Sequence, residues 1–106
     1  MIDQLIRFEE IPWERPANGV TQKIYATDGQ RLRLIRFGDD FVEKKWCMAG
    51  HIGFVLSGEM SIDFDGAIQH YRQGDGLWIV AGETSRHKVR IDQGKQVELI
   101  LFETMT

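Results

Sequence analysis

The chain is predicted to be all-β, a sandwich or barrel of short strands, on three observations. Turn-forming clusters recur at short intervals: Thr27-Asp28-Gly29-Gln30, Gly38-Asp39-Asp40, Ser57-Gly58-Glu59, Asp65-Gly66, Gln73-Gly74-Asp75-Gly76, Ala81-Gly82-Glu83 and Asp92-Gln93-Gly94-Lys95. Gly and Asp in such clusters provide the positive φ angles and local hydrogen bonds of tight reversals. Between the clusters lie short segments rich in Val, Ile, Phe and Tyr, and even spacing of this kind marks a sandwich or barrel. No stretch sustains a helical period with caps.

Taken in order, the first tract is EEIPWERPANG, where Pro12 and Pro16 lack amide donors and hold φ fixed. It reads as part of an N-terminal arm, residues 1–19, lying across the domain without a regular ladder or helix. VTQKIYA and RLRLIRF follow as strands. In MSIDF, Met60, Ile62 and Phe64 share one face while Ser61 and Asp63 take the other, the pattern of a sheet wet on one side. LWIV and HKVRI are the next strands. VELILF differs, because Val97, Leu99 and Leu101 share one face while Glu98, Ile100 and Phe102 share the other. Both faces of that strand are expected to be covered, the second by the N-terminal segment or by another subunit.

The bulk properties narrow the functional classes. At 106 residues, with 42 % hydrophobic and 27 % charged residues, the chain is one globular domain, residues 1–106. A formal net charge of −3, with no more than two consecutive Lys or Arg, leaves no electrostatic footprint for nucleic acid. The N-terminus MIDQLIRFEE lacks a basic leader, and no apolar run approaches the roughly 20 residues that cross a bilayer. The expectation is a cytoplasmic protein with no membrane partner. A single cysteine, Cys47, forms no internal disulfide and leaves a thiol for packing, metal or chemistry.

The candidate site lies in WCMAGHIGFVLSGEM, residues 46 to 60, where Trp46, Cys47 and His51 precede a core-bound strand. Four residues along a straight strand would hold Cys47 and His51 about 13 Å apart, too far to share one ion. They converge only if the chain bends at Ala49-Gly50, and glycine permits such a bend. His87, heading HKVRI, would face them across a sandwich.

These segments resemble the cupin superfamily. Its first motif runs Gly, five residues, His-any-His, three or four residues, Glu, six residues, Gly; its second runs Gly, five residues, Pro, one residue, Gly, two residues, His. Gly38 and Gly58 match the flanking glycines of the first, and VLSGEMSIDFDG is similar to the family's strand, turn and strand. Gly74-Asp75 and Gly82 match the second, so the resemblance covers residues 38–91. It implies a double-stranded β-helix, the jelly-roll barrel of small cupins, with a pocket inside. It also aligns Tyr71 with an inward apolar position, which turns His70 outward to solvent.

The same motifs depart from the family's ligand set. His51 stands where the family carries its ligating Glu, and the His-any-His pair falls on Lys45 and Cys47 or on Lys44 and Trp46. Val80 replaces the Pro, and His87 comes two residues late. What remains is Cys47, His51 and His87, a set suited to zinc, iron or copper rather than magnesium, with an open position for water or substrate.

Each candidate also has a structural reading. Cys47 fits a small buried hydrophobe at a strand end, and His51 or His87 a histidine satisfied by backbone. Trp46 is placed at the pocket rim and Trp78 in the core or a subunit interface. Arg36 and Arg86 either meet an anionic substrate or face water. Nucleophilic catalysis by Cys47 with a histidine base lacks an identifiable orienting Asp or Asn. The leading functional expectation is a barrel binding a small polar ligand, a sugar or carboxylate, lined by Trp46, Cys47, His51 and His87, with a divalent metal on the last three. The alternatives are a metal-dependent cupin enzyme of dioxygenase or isomerase type, and a non-catalytic protein with a filled barrel. A homodimer is expected, because small jelly rolls often cover an exposed sheet that way.

Overall fold

The computed structural model describes residues 4–104, in eight strands: β1 (Glu14–Ala17), β2 (Val20–Thr27), β3 (Gln30–Gly38), β4 (His51–Asp63), β5 (Ile68–Arg72), β6 (Gly76–Ile79), β7 (Lys88–Arg90) and β8 (Gln96–Thr104). All pairings are antiparallel, in the order β1-β2-β3-β8-β4. The first half of β4 lies between β8 and β6, and its second half between β5 and β7. One long strand therefore serves both layers of a jelly roll, and the inward side chains of the two layers enclose the core.

The change of layer occurs at Ser57-Gly58. Pairing with β8 slips between Val55 and Ser57, and Gly58 has φ +77°. A Cβ there would sit 2.0 Å from the carbonyl oxygen of Gln96, so no other residue fits this bulge without distortion. The turn expected at Ser57-Gly58-Glu59 is thus corrected to a bulge inside a continuous thirteen-residue strand. At Asp28-Gly29, by contrast, φ values of 52° and 75° make the expected two-residue hairpin reversal.

Strand alternation places the core as read from the sequence. Met60 and Ile62 are buried, as are Val97, Leu99 and Leu101 of β8 and Ile35 and Phe37 of β3. Ser61 hydrogen-bonds to His70 on the exposed side.

One further expectation is corrected, and two are narrowed. The arm, of which residues 1–3 lie outside the described residues, is partly regular: Phe8–Glu10 forms a 3-10 turn and Glu14–Ala17 an edge strand. Pro16 is tolerated there because an edge strand leaves one row of its amide positions unpaired, and the ladder with β2 is irregular at this point. Of the two places expected for Trp78, the core is excluded, since the residue is 76 % exposed. Within a single chain the outer face of β8 is partly covered: Ile100 is half-buried and Phe102 exposed. Among the described residues no helix is long and apolar enough to cross a membrane.

Candidate metal centre

Cys47 precedes β4 and His87 precedes β7, yet the two residues are bound backbone to backbone. The amide of Cys47 donates to the carbonyl of His87 at 2.8 Å, and the amide of His87 donates back at 3.0 Å. Next to this bridge the amide of Gly82 donates to the carbonyl of Met48 at 2.9 Å. Gly50 is needed for proximity rather than for φ: a Cβ would lie 3.0 Å from the amide nitrogen of Ala81. The segment before β4 is thereby pressed against the segment before β7, and His51, the first residue of β4, enters the same space.

The result is a cluster in which the ligand atoms of Cys47, His51 and His87 all lie within 4.8 Å of one another. Sγ of Cys47 and Nε2 of His51 are 3.6 Å apart, despite the 13 Å that a straight strand would impose. The imidazole rings of His51 and His87 meet edge to face, with centroids 5.2 Å apart. Each ring is held at its far nitrogen: Nδ1 of His51 donates to Oε2 of Glu103 at 2.6 Å, and Nδ1 of His87 donates to the carbonyl of Ser85 at 2.9 Å. That leaves Nε2 of both rings for Cys47 or for an ion.

Electrostatics follow from this packing. Hydrogen bonds from His51 and His87 outweigh burial and hold the Cys47 thiol at about 5, far below its ordinary 9.0. Burial works against a charged His51, but its bonds to Cys47 and Glu103 prevail and raise it to about 9. His87 is raised as well, burial being outweighed by Cys47 and the Ser85 carbonyl. Burial likewise opposes ionisation of Glu103, yet the bond from His51 and the charge of Arg33 hold its carboxyl at about 2. Without metal, the cluster is a thiolate facing imidazolium.

Glu103 is 5 % exposed and is the hub of a buried network. Besides His51, it accepts from Nε of Arg31 at 2.6 Å and from a terminal nitrogen of Arg33 at 2.8 Å. Arg33 also reaches the Gln22 side chain at 3.1 Å, while its buried Nε has no partner among the described residues. Glu43 also faces this space, one oxygen accepting from the Val89 amide at 2.7 Å. Burial raises its carboxyl pKa.

All of these groups border one interior cavity of about 350 Å³, whose remaining wall is apolar, including Ile35, Met60, Ile79 and Leu99. That volume is within the range of small-molecule sites. Sequence reasoning missed Glu103, Arg31, Arg33, Glu43 and Gln22. Strand parity held a signal for three of them: Glu103 continues the series Val97, Leu99, Leu101, and Arg31 and Arg33 continue the series Ile35, Phe37 backwards.

Trp46, expected at the rim, does not border the cavity; its ring lies beneath Lys88 and Arg86. Arg86 is engaged by Asp65 and Arg36 by Glu98, both on the surface. Neither borders the cavity.

No protein-family model matches the chain, and no curated protein matches it. Solved structures do. The chain is similar to the polyketide cyclase RemF from Streptomyces resistomycificus, with TM-score 0.80 and 14 % identity over 99 % of this chain and 81 % of that one. It is similar to KdgF from Halomonas sp., with TM-score 0.76 and 18 % identity over 99 % and 96 % of the two chains. It is also similar to an RmlC-like cupin from Shewanella frigidimarina, with TM-score 0.74 and 16 % identity over 99 % and 93 %. At these identities the likeness is one of fold: the chain has the small cupin fold.

Proposed function

We propose that this cupin-fold chain is a metal-dependent enzyme that takes a small organic anion, most simply a carboxylate, at a divalent ion held by Cys47, His51 and His87. The observation that carries the reading is the double anchoring of the imidazoles: with Nδ1 committed to Glu103 in one ring and to the Ser85 carbonyl in the other, both remaining nitrogens belong to the space around Sγ of Cys47. Ligating histidines are held in this way, and the acceptor on the far nitrogen sets tautomer and basicity. One sulfur and two nitrogens form a borderline donor set that suits Zn²⁺ first, then Fe²⁺ or copper. Three protein donors leave a position open toward the cavity, as in catalytic rather than structural zinc sites. Bound there, the ion supplies Lewis-acid polarisation of a substrate oxygen.

The protein's own residues select the ligand. Arg31 and Arg33 carry two positive charges against the single carboxylate of Glu103. With a divalent ion balanced partly by the Cys47 thiolate, the cavity stays net positive even if Glu43 is ionised, so an anion is favoured. The apolar wall accommodates the carbon skeleton. Glu43, half-fixed by the Val89 amide and shifted toward the neutral form, is placed to exchange a proton with a bound molecule.

A second reading has its own observation. Cys47, His51 and Glu103 are linked at 3.6 and 2.6 Å in the order of nucleophile, base and orienting carboxylate. His87 argues for metal over this relay, because a thiol nucleophile needs one imidazole and two converge here.

The test is elemental analysis of purified protein, followed by Zn²⁺ and Co²⁺ titration. The metal reading expects one ion per chain and at least a roughly 100-fold loss of affinity in His51→Ala and His87→Ala, with small carboxylates raising the melting temperature of the loaded form. No binding of either ion by the wild-type chain would sink it. Retained alkylation of Cys47 under saturating Zn²⁺ would favour the nucleophile.

A further inference from the structure

The cavity has a second charged end, apart from the three candidate ligands. Arg31 and Arg33 stand two apart on β3, so the strand's alternation sets both on one face, and both border the cavity. Arg31 lies directly across from Glu103 in the register of β3 with β8. Side-chain exposure rises along the network from Glu103 and His51, at 5 and 12 %, to Arg33 and Arg31, at 17 and 31 %. Arg31 is therefore the member nearest to solvent.

Glu103 does not use up the donors of this pair. Nε of Arg31 is committed to it, but the two terminal nitrogens of Arg31 have no partner among the described residues. Arg33 gives one terminal nitrogen to Glu103 and the other to the Gln22 side chain, and its buried Nε has no acceptor among the described residues. Buried donors left this way are rare, because they forgo the hydrogen bonds that water gave them. Charge is left over as well. Two guanidiniums against one carboxylate leave one positive charge at this end. A divalent ion against the Cys47 thiolate leaves one at the other end, where both imidazoles are neutral as ligands. Glu43 faces the cavity too, and burial favours its neutral form.

We propose that the ligand is a dicarboxylate, with one carboxylate on the ion and the other on the terminal nitrogens of Arg31, Nε of Arg33 being a further donor. The proposal rests on the metal reading and adds a second end to it. Two separate positive charges are matched by two separate carboxylates, whereas a monocarboxylate leaves one end bare. A guanidinium fork takes a planar carboxylate through two parallel hydrogen bonds, which an ammonium in its place cannot. Spacing sets the length. Two hydrogen bonds, one imidazole and one carboxylate separate Nε2 of His51 from Nε of Arg31, so the gap is at most about 10 Å. A diacid of about four to six carbons spans it once the ion and an N–H···O contact take their share. The apolar wall, including Ile35, Met60 and Leu99, takes the methylene chain.

The test is calorimetric titration of the Zn²⁺-loaded full chain with succinate, glutarate and adipate, each against the monocarboxylate of the same carbon number. At least one diacid is expected to bind about 10- to 100-fold more tightly than its monocarboxylate. Arg31→Met should bring that ratio to within about threefold, and Arg31→Lys should recover part of it. Both acids meet the same variant, so the ratio is insensitive to a general loss of stability or of Zn²⁺ affinity. Equal affinities in the wild type, no binding of any diacid, or a preference that Arg31→Met leaves intact would each overturn the proposal. Zn²⁺ affinity, measured first, separates the two readings. A wild-type chain that takes no Zn²⁺ ends both, whereas a Zn²⁺-binding chain without the preference loses only the dicarboxylate.

Discussion

Nδ1 of His51 donates to Oε2 of Glu103 across 2.6 Å, from the first residue of β4 to the penultimate described residue of β8. This bond turns the far nitrogen of His51 toward Cys47, and it couples the candidate metal centre to the buried arginines. Removing the carboxylate charge while keeping the shape should therefore act on both. Glu103→Gln is expected to weaken Zn²⁺ binding by about 10- to 100-fold in chelator competition, the range for lost outer partners of a ligating histidine. In EDTA it should also lower unfolding free energy by about 3 kcal/mol, because Arg31 and Arg33 lose their buried counter-charge. Unchanged values in both assays would separate Glu103 from the site.

Acid should act through the same group. The Glu103 carboxyl is held at about 2 in the fold, against an ordinary 4.5. A depressed carboxyl adds stability that is present above its unfolded value and is lost as the pH falls through its folded value. Metal-free wild type should therefore lose on the order of 3 kcal/mol relative to Glu103→Gln between pH 4.5 and 2. Denaturant unfolding of the two proteins across that window checks it, and parallel pH profiles would contradict it.

Metal-free Cys47 should behave as a thiolate. Its alkylation by iodoacetamide is expected to titrate with a midpoint of about 5 rather than 9. His51→Ala, which removes the strongest of the hydrogen bonds to sulfur, should move that midpoint upward. Saturating Zn²⁺ should suppress the reaction, by the metal reading. A midpoint near 9 in the metal-free wild type would remove the thiolate–imidazolium pair.

Gly58→Ala tests the bulge that lets β4 serve both layers. A Cβ would fall 2.0 Å from the Gln96 carbonyl at a φ of +77°, so steric overlap adds to left-handed strain. A loss of about 3 kcal/mol or more in unfolding free energy is expected, with Gly66→Ala as the control. Gly66 also has positive φ, but nothing lies within 4 Å of its Cβ position. Equal losses in the two variants would show that φ alone accounts for the effect.

The fold was legible because its signals are local. Alternation in MSIDF orders Met60 and Ile62 inward by backbone pleat alone, and Asp28-Gly29 reverses the chain by its own φ preferences. The Ser57-Gly58 signal was equally local, but it could not distinguish a turn from a bulge. That choice depends on whether β8 arrives to pair on both sides of it, and β8 lies some forty residues further along.

By itself, the sequence determined an all-β barrel, the inward faces of its strands and the three ligand-capable side chains Cys47, His51 and His87. Tertiary structure alone decided that those three meet, through the backbone bridge between Cys47 and His87. It alone also made Glu103 the hub of the site, and it turned Trp46 away from the cavity and Trp78 to the surface. The physical reason is range. Pleat and turn preferences act between neighbours in the chain, whereas hydrogen bonds, ion pairs and desolvation act between groups brought together only when distant strands close.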